Sequence, residues 1–183
     1  MEIVLGIAVL VVLAVVLGVN RLIKLRNRVD SAWADLDVQL SRRRALIPNL
    51  VATVSGYATH ERETLEAVTA ARATGDSAHA RGDVSSAEEE VDEALGRVVA
   101  LAEAYPELKA DQRFRELHTE LVATENRIAF SRQLYNDTVT QYRNAVQRFP
   151  ANLFAQRAGF EPPGLFSAEA GTRSAMRVEL NGE

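Results

Sequence analysis

The stretch at residues 114–149, FRELHTELVATENRIAFSRQLYNDTVTQYRNAVQRF, carries the most regular pattern in the chain. Apolar and small side chains recur along it at alternating steps of three and four residues, which is the heptad period of a helix packed along a seam. This stripe consists of Phe114, Leu117, Leu121, Thr124, Ile128, Ser131, Tyr135, Thr138, Tyr142, Ala145 and Phe149. The pattern predicts a long helix, from about Lys109 to just before Pro150, that packs against other helices.

Helical periodicity continues upstream of this seam. Apolar residues at three- and four-residue steps predict a helix over residues 29–73, which Pro48 would bend and which could run on continuously from the N-terminal segment. Glycines and small polar residues predict a loop over residues 74–83, and a further helix starts at Ser85 and ends before Pro106. Because no strand pattern appears, the predicted fold class is all-α: a single N-terminal transmembrane helix followed by an antiparallel bundle of long helices.

The N-terminus has the composition of a membrane anchor. Every residue from Ile3 to Val19 is Ile, Val, Leu, Ala or Gly, a length of about 25 Å as a helix, and Leu22 and Ile23 can extend it toward the full hydrocarbon thickness. A cleaved signal peptide is the alternative, but no Lys or Arg precedes the apolar run and no small-residue cleavage site follows it. We therefore predict an anchor over residues 1–23 that contacts lipid through residues 3–23, a helical domain over 24–160 and a flexible tail over 161–183.

Basic residues lie on one side of this apolar run. Arg21, Lys24, Arg26 and Arg28 follow it closely, and no basic side chain precedes it. The positive-inside rule then predicts that the N-terminus lies outside the cell and that the C-terminal domain is cytoplasmic.

Composition and motifs argue against several classes of function. The net charge of -4 is unlike the basic excess of a nucleic-acid-binding domain, and the absence of cysteine excludes thiolate metal sites and disulfides. His60, His79 and His118 lack metal-site spacing, and neither a nucleophile motif nor a phosphate loop is present. We predict no catalytic residue, no cofactor, no metal and no small-molecule substrate, so the chain is not expected to be an enzyme. The alternative is a carboxylate–histidine metal or hydrolytic site formed by His60, Glu61 and Glu125.

Polar residues near the predicted helix seams are the remaining candidates. They could form a recognition surface or a buried network that fixes helix register. These residues are Asn49, Tyr57, His60, Glu61, Glu125, Asn126, Arg127, Tyr135 and Asn136. The run Arg42-Arg43-Arg44 is expected to be solvated and to pair with acids on neighbouring helices, with anionic lipid as an alternative partner.

Four segments resemble the LemA family: residues 42–51 (RRRALIPNLV), 105–110 (YPELKA), 124–130 (TENRIAF) and 135–137 (YND). The resemblance extends over about residues 22–166. It implies a bacterial inner-membrane protein with one N-terminal helix and a bundle of long helices, sometimes associated with membrane stress proteases, and it implies no agreed reaction. Where the family usually has an acid directly before LIP, this chain has Ala45, which favours a structural role for that position.

These observations favour a membrane-tethered scaffold whose helical faces bind another protein or a second copy of the chain. A metal-dependent enzyme and a sensor of anionic lipid surfaces, acting through the basic residues at 21–28 and 42–44, are the alternatives.

Overall fold

The structure is a computed structural model that describes residues 1–58, 60–81 and 84–166. Over these ranges it contains five α-helices, one 3₁₀ turn and no strand, which confirms the predicted all-α class. The helices are α1 (Glu2–Ser55), α2 (Arg62–Arg81), α3 (Val84–Ala104), α4 (Pro106–Ala110) and α5 (Gln112–Gln147), and the 3₁₀ turn covers Ala151–Leu153.

Helix α1 is continuous from Glu2, through Pro48, to Ser55. Near the N-terminus, an 18-residue window of this helix has a mean hydropathy of 2.9 and none of it is buried. A helix that is apolar all round is normally covered, either by protein or by lipid. By length and composition, α1 is therefore a candidate membrane span, and it extends without interruption into the helical domain.

The predicted helix over residues 29–73 is wrong in its second half, because the chain turns between α1 and α2. The backbone N–H groups of Tyr57 and Ala58 both donate to the carbonyl of Val54, at 3.0 and 2.9 Å. Gly56 follows the last residue of α1, where its low helix propensity favours termination. Ala58 is buried in the same hydrophobic core as Val54 and Val68, so this turn is part of the packed helical domain.

The predicted loop over residues 74–83 is also wrong for the part that the structure describes, since α2 continues to Arg81. The hydroxyls of Thr74 and Ser77 donate to backbone carbonyls four residues earlier, at 3.2 and 2.9 Å, so these small polar residues are accommodated within a helix. Gly75 is buried, and its missing side chain leaves room for the side chain of Arg44, as described below. Residues 82 and 83 lie outside the described residues.

The chain forms two compact units. Unit 1 comprises Met1–Gln39 and Asn126–Leu165, and unit 2 comprises Leu40–Glu125 together with Phe166. The core of unit 1 includes Leu22, Val29, Leu36, Ile128, Tyr135, Val139 and Tyr142. The core of unit 2 includes Ile47, Val54, Val68, Val91, Val98, Leu108, Phe114 and Leu121. Helices α1 and α5 each contribute to both units.

The α5 seam is buried or half-buried from Phe114 to Ala145. Phe149, the last predicted member, is 79% exposed because α5 ends at Gln147. The helix begins at Gln112 instead of near Lys109, because the short helix α4 and Asp111 intervene. Of the predicted tail, residues 167–183 lie outside the described residues, and the predicted domain boundaries at 23 and 160 stay predictions.

Candidate functional site: a buried charge network and a groove in unit 2

Three consecutive arginines of α1 lie in three different environments. Arg43 is 1% exposed and Arg44 is 6% exposed, whereas the side chain of Arg42 is 46% exposed and pairs with Glu120 at 2.8 Å. Successive residues of a helix point about 100° apart, so neighbours in sequence need not share a face. The expectation of pairing with acids on other helices is confirmed. The expectation that the whole run is solvated is wrong for Arg43 and Arg44.

Arg43 is the centre of a buried ion-pair network. Its Nη1 donates to both oxygens of Glu125 on α5, at 2.9 and 3.1 Å, and to the carboxylate of Asp92 on α3. Its Nη2 donates to the carboxylate and, at 3.4 Å, to the backbone carbonyl of Glu88 on α3. One guanidinium therefore connects α1, α3 and α5. A guanidinium suits this position because its planar fork can serve several carboxylates at once.

Arg44 extends the network to α2. It donates to the second oxygen of Glu88, and its Nε lies 2.9 Å from the carboxylate of Asp76. Gly75 makes room for the arginine stem, because a Cβ at that position would lie 3.2 Å from the Cδ of Arg44. Glu88, at 2% exposure, is thus shared by two arginines. Such a buried charge is stable only while its partners stay in place.

The network shifts the pKa values of Arg43 and Asp92. Burial lowers the pKa of Arg43, but the charges of Asp92 and Glu125 outweigh this and raise it above its ordinary value, so Arg43 stays cationic. Burial raises the pKa of Asp92 to about 6; Arg43 opposes this rise, and the neighbouring carboxylates of Glu125 and Glu88 add to it. With a pKa of about 6, the Asp92 carboxyl group exchanges its proton in the mildly acidic range.

A surface groove of about 650 Å³ lies where the end of α1 meets the start of α5. It is lined by Asn49, Ala52, Thr53, Tyr57, Asp111, Arg113, Glu116, Leu117 and Glu120. Mixed donors, acceptors and apolar atoms in an open groove suit a peptide or protein surface better than a small molecule, which is normally enclosed. Two of the predicted candidates, Asn49 and Tyr57, are among its walls.

Hydrogen bonds to Asp111 hold one wall of this groove in place. Asp111 caps α5, since its Oδ1 accepts from the backbone N–H of Phe114 at 2.8 Å, and its Oδ2 accepts from the Tyr57 hydroxyl at 2.9 Å. The Phe114 amide and the Tyr57 hydroxyl lower the pKa of Asp111. Conversely, the bond to Asp111 raises the pKa of Tyr57. The carboxylate thus remains an acceptor and holds the Tyr57 ring at the edge of the groove.

The other candidates occupy separate places. His60, Asn126 and Arg127 are exposed. Glu61 is half-buried and accepts from the Tyr105 hydroxyl at 3.1 Å, which raises the pKa of Tyr105. In unit 1, Tyr135 is buried and Asn136 is half-buried. The four basic residues after the apolar run, Arg21, Lys24, Arg26 and Arg28, are all exposed.

The structure does not assemble the alternative metal or hydrolytic site. Glu125 is bound to Arg43 and Glu61 to Tyr105, while His60 is exposed. Among the described residues, no group of three or more His, Cys, Asp or Glu side chains is placed to hold a metal ion. The proposed combination of His60, Glu61 and Glu125 is therefore wrong as a single site.

Glu88, Asp92 and Asp76 belong to the network but were not among the predicted candidates. Glu88 opens an acidic run, Glu88-Glu89-Glu90, which resembles a solvated surface. The burial of Glu88 could have been predicted, because it is in helical phase with the buried residues Val84, Val91 and Leu95. A charge in the apolar stripe of a helix indicates a buried partner of opposite sign.

The all-helical fold is consistent with the sequence comparison. A sequence model of the LemA family matches residues 32–180. The chain belongs to the LemA family. It is 26% identical to Protein LemA of Metamycoplasma hominis, with a match that covers 81% of this chain and 68% of that protein.

Relatives also include magnetosome proteins. Magnetosome protein MamQ 2 of Paramagnetospirillum magneticum is 25% identical over 78% of this chain, and the chain spans 62% of its length. Magnetosome protein MamQ of Magnetospirillum gryphiswaldense is 34% identical over 37% of this chain and 25% of its own length. None of these names denotes a catalysed reaction.

Proposed function

We propose that this LemA-family chain is a membrane-tethered scaffold of a bacterial inner membrane, which presents its helical domain in the cytoplasm and binds a protein partner through the groove of unit 2. The observation that carries the proposal is the continuity of α1. None of its apolar N-terminal window is buried, and the same uninterrupted helix supplies Arg43 and Ile47 to the core of unit 2. A bilayer would cover the apolar first part of the helix, and a folded domain surrounds the second part.

The exposed basic residues support the orientation. Arg21, Lys24, Arg26 and Arg28 remain at the surface of unit 1, where the positive-inside rule predicts cytoplasmic residues. A fluorescent-protein fusion at the C-terminus should fluoresce in cells, and an alkaline phosphatase fusion there should be inactive. An active phosphatase fusion would reverse the orientation while leaving the tether intact.

The chemistry of unit 2 supports binding over catalysis. Its most perturbed groups, Arg43 and Asp92, are engaged with each other inside the network. The groove carries hydrogen-bonding side chains in a fixed frame, which is suited to recognition. The named relatives are described by their family or by the magnetosome, not by a reaction.

Site-specific photocrosslinking in membranes tests the scaffold proposal. A photoreactive amino acid at Ala52, an exposed groove residue, should give a discrete adduct with a partner protein or with a second copy. Glu89 is exposed on α3 and does not line the groove, so the same label there should give none. Recovery of monomer alone from Ala52, Thr53 and Glu116 labels would overturn the proposal.

A further inference from the structure

The chain returns to the apolar part of α1 after α5 ends. The ring of Phe154 packs against Gly18, where an added Cβ would lie 3.2 Å from the Phe154 Cζ. Ala155 is fully buried beside it, within the same turn of unit 1. Phe154 therefore lies beside the end of the apolar run, although more than a hundred residues separate it from Gly18 in sequence.

This turn exposes two large apolar side chains. Phe149 is 79% exposed and Leu153 is 66% exposed. A single exposed apolar residue needs no explanation, but a small group at the end of a candidate span has the composition of an interfacial insertion. Both side chains belong to the segment whose Phe154 is already seated on Gly18.

A basic groove of about 410 Å³ adjoins the same end of unit 1. Arg21, Lys24 and Arg28 line it from α1, and Arg148 lines it from the end of α5. The steps of three and four residues put the α1 cations on one helix face. No acidic residue lines the groove, and within the described residues none of these four cations forms an ion pair. Four cations around one groove repel each other unless an anion is present.

Arg148 distinguishes this groove from the charge bias that sets membrane orientation. The positive-inside rule needs only basic residues close in sequence to the span, and Arg21, Lys24 and Arg28 meet that need alone. Arg148 is brought to them by folding. Gln141 and Asn144 add side-chain amides to the same walls, so the groove offers both charge and hydrogen-bond donors.

We propose that this end of unit 1 is an interfacial binding site for an anionic phospholipid. Arg21, Lys24, Arg28 and Arg148 hold the headgroup phosphate, and Phe149 and Leu153 insert among the acyl chains. The adjacent apolar turn favours a lipid over free phosphate, because only a lipid satisfies both surfaces. The inference rests on the membrane tether proposed above. It adds a preferred class of lipid and a second contact between the protein and the membrane.

Lipid retention by the full-length chain tests the headgroup site. Protein purified in detergent is incubated with equal amounts of phosphatidylglycerol and phosphatidylcholine, and the retained lipid is measured by mass spectrometry. We expect severalfold enrichment of phosphatidylglycerol, which Arg148→Gln abolishes and Arg127→Gln, on an exposed α5 position, preserves. Equal retention of both lipids, or enrichment unchanged in Arg148→Gln, would overturn the site. Displacement of phosphatidylglycerol by millimolar inorganic phosphate would make it a site for free phosphate and also overturn the proposal.

Depth measurement tests the insertion. The chain contains no cysteine, so single nitroxide labels can be placed without background in vesicles of phosphatidylglycerol and phosphatidylcholine. Labels at Phe149→Cys and Leu153→Cys should be accessible to oxygen and protected from a water-soluble nickel chelate. Phe130, which is 70% exposed on α5 and about 26 Å from the helix end, provides the matched aqueous control.

A label at Ile7→Cys separates the two possible failures. If the label at Ile7→Cys lies in the bilayer and the label at Phe149→Cys is as accessible to the nickel chelate as the label at Phe130→Cys, the proposed insertion is wrong and the tether stands. If Ile7→Cys is itself aqueous, the proposed tether fails, and this inference fails with it.

Discussion

Units 1 and 2 are built partly from the same two helices, α1 and α5, but different kinds of contact hold those helices in each unit. In unit 2, Arg43 of α1 is held by carboxylates of α3 and α5 at the centre of the core. In unit 1, the Trp33 ring of α1 packs on the Tyr135 ring of α5, with centroids 5.4 Å apart. Unit 2 thus depends on charge compensation, which is sensitive to the loss of one partner, and unit 1 on aromatic contact, which is more tolerant.

The comparison predicts that Glu88→Ala causes the largest loss of stability. This substitution leaves Arg43 and Arg44 buried without their shared carboxylate, and we expect unit 2 to lose about 3–5 kcal/mol. Hydrogen exchange with mass spectrometry on the full chain should show faster exchange in α3, while unit 1 peptides keep their protection. Glu89→Ala, which changes the exposed neighbour, is the control. Unaltered exchange in α3 would mean that the network does not hold unit 2 together.

Arg43→Lys should have the next largest effect. A lysine keeps the charge but has all its donors on one nitrogen, whereas Arg43 uses two nitrogens to reach Glu88, Asp92 and Glu125, so we expect a loss of about 2 kcal/mol. Arg42→Lys alters an exposed pair and should change stability by less than about 0.5 kcal/mol. Denaturant unfolding of both variants measures the difference. Equal stabilities would show that charge alone, without the guanidinium fork, suffices.

A smaller effect is expected from titration of Asp92. Because its folded-state pKa of about 6 lies above the ordinary aspartate value of 3.8, the folded state binds this proton more tightly than the unfolded state. Its contribution to stability is then fully present below about pH 4 and is lost as pH rises through 6. The stability of the wild type relative to Asp92→Asn should therefore fall between pH 4 and pH 7. A difference that is constant or rises over this range would contradict the assignment.

The smallest effect is predicted in unit 1, where two tyrosines differ in hydrogen bonding. The Tyr135 hydroxyl donates to the Gly164 carbonyl at 3.1 Å, whereas the buried Tyr142 hydroxyl has no hydrogen-bond partner within the described residues. Tyr135→Phe should cost about 1 kcal/mol, and Tyr142→Phe should be neutral or slightly stabilising. Thermal unfolding compares the two. A larger loss in Tyr142→Phe than in Tyr135→Phe would contradict this account.

The sequence predicted long helices best where periodicity was uninterrupted. The stripe from Phe114 to Ala145 is buried or half-buried as expected, and Pro106 follows the end of α3. The sequence-based prediction was wrong where local composition and packing favour different secondary structures. The glycine and small residues of 74–81 indicate a loop by composition, yet they are helical because Gly75 and Asp76 pack against Arg44.

The candidate site was predicted only in part. Glu125, Asn49 and Tyr57 were named as candidates, because polar seam residues stand out against an apolar stripe, whereas Arg43 was expected to be solvated. The other partners of Arg43 were missed, since Asp92 lies 49 residues away from it along the chain and no local rule couples the two. Which acid meets which arginine is decided by helix packing, and periodicity alone does not contain that information.

The distance along the chain between Arg43 and its partners has a consequence for biosynthesis. Glu88 follows Arg43 by 45 residues and Glu125 follows it by 82, so at ribosomal speed the last partner emerges roughly 4–16 s after the arginine. Until Glu88 and Asp92 have emerged the guanidinium must remain hydrated, since burying it alone is prohibitive. Assembly of this core is therefore ordered by translation, with closure delayed until α5 has left the ribosome.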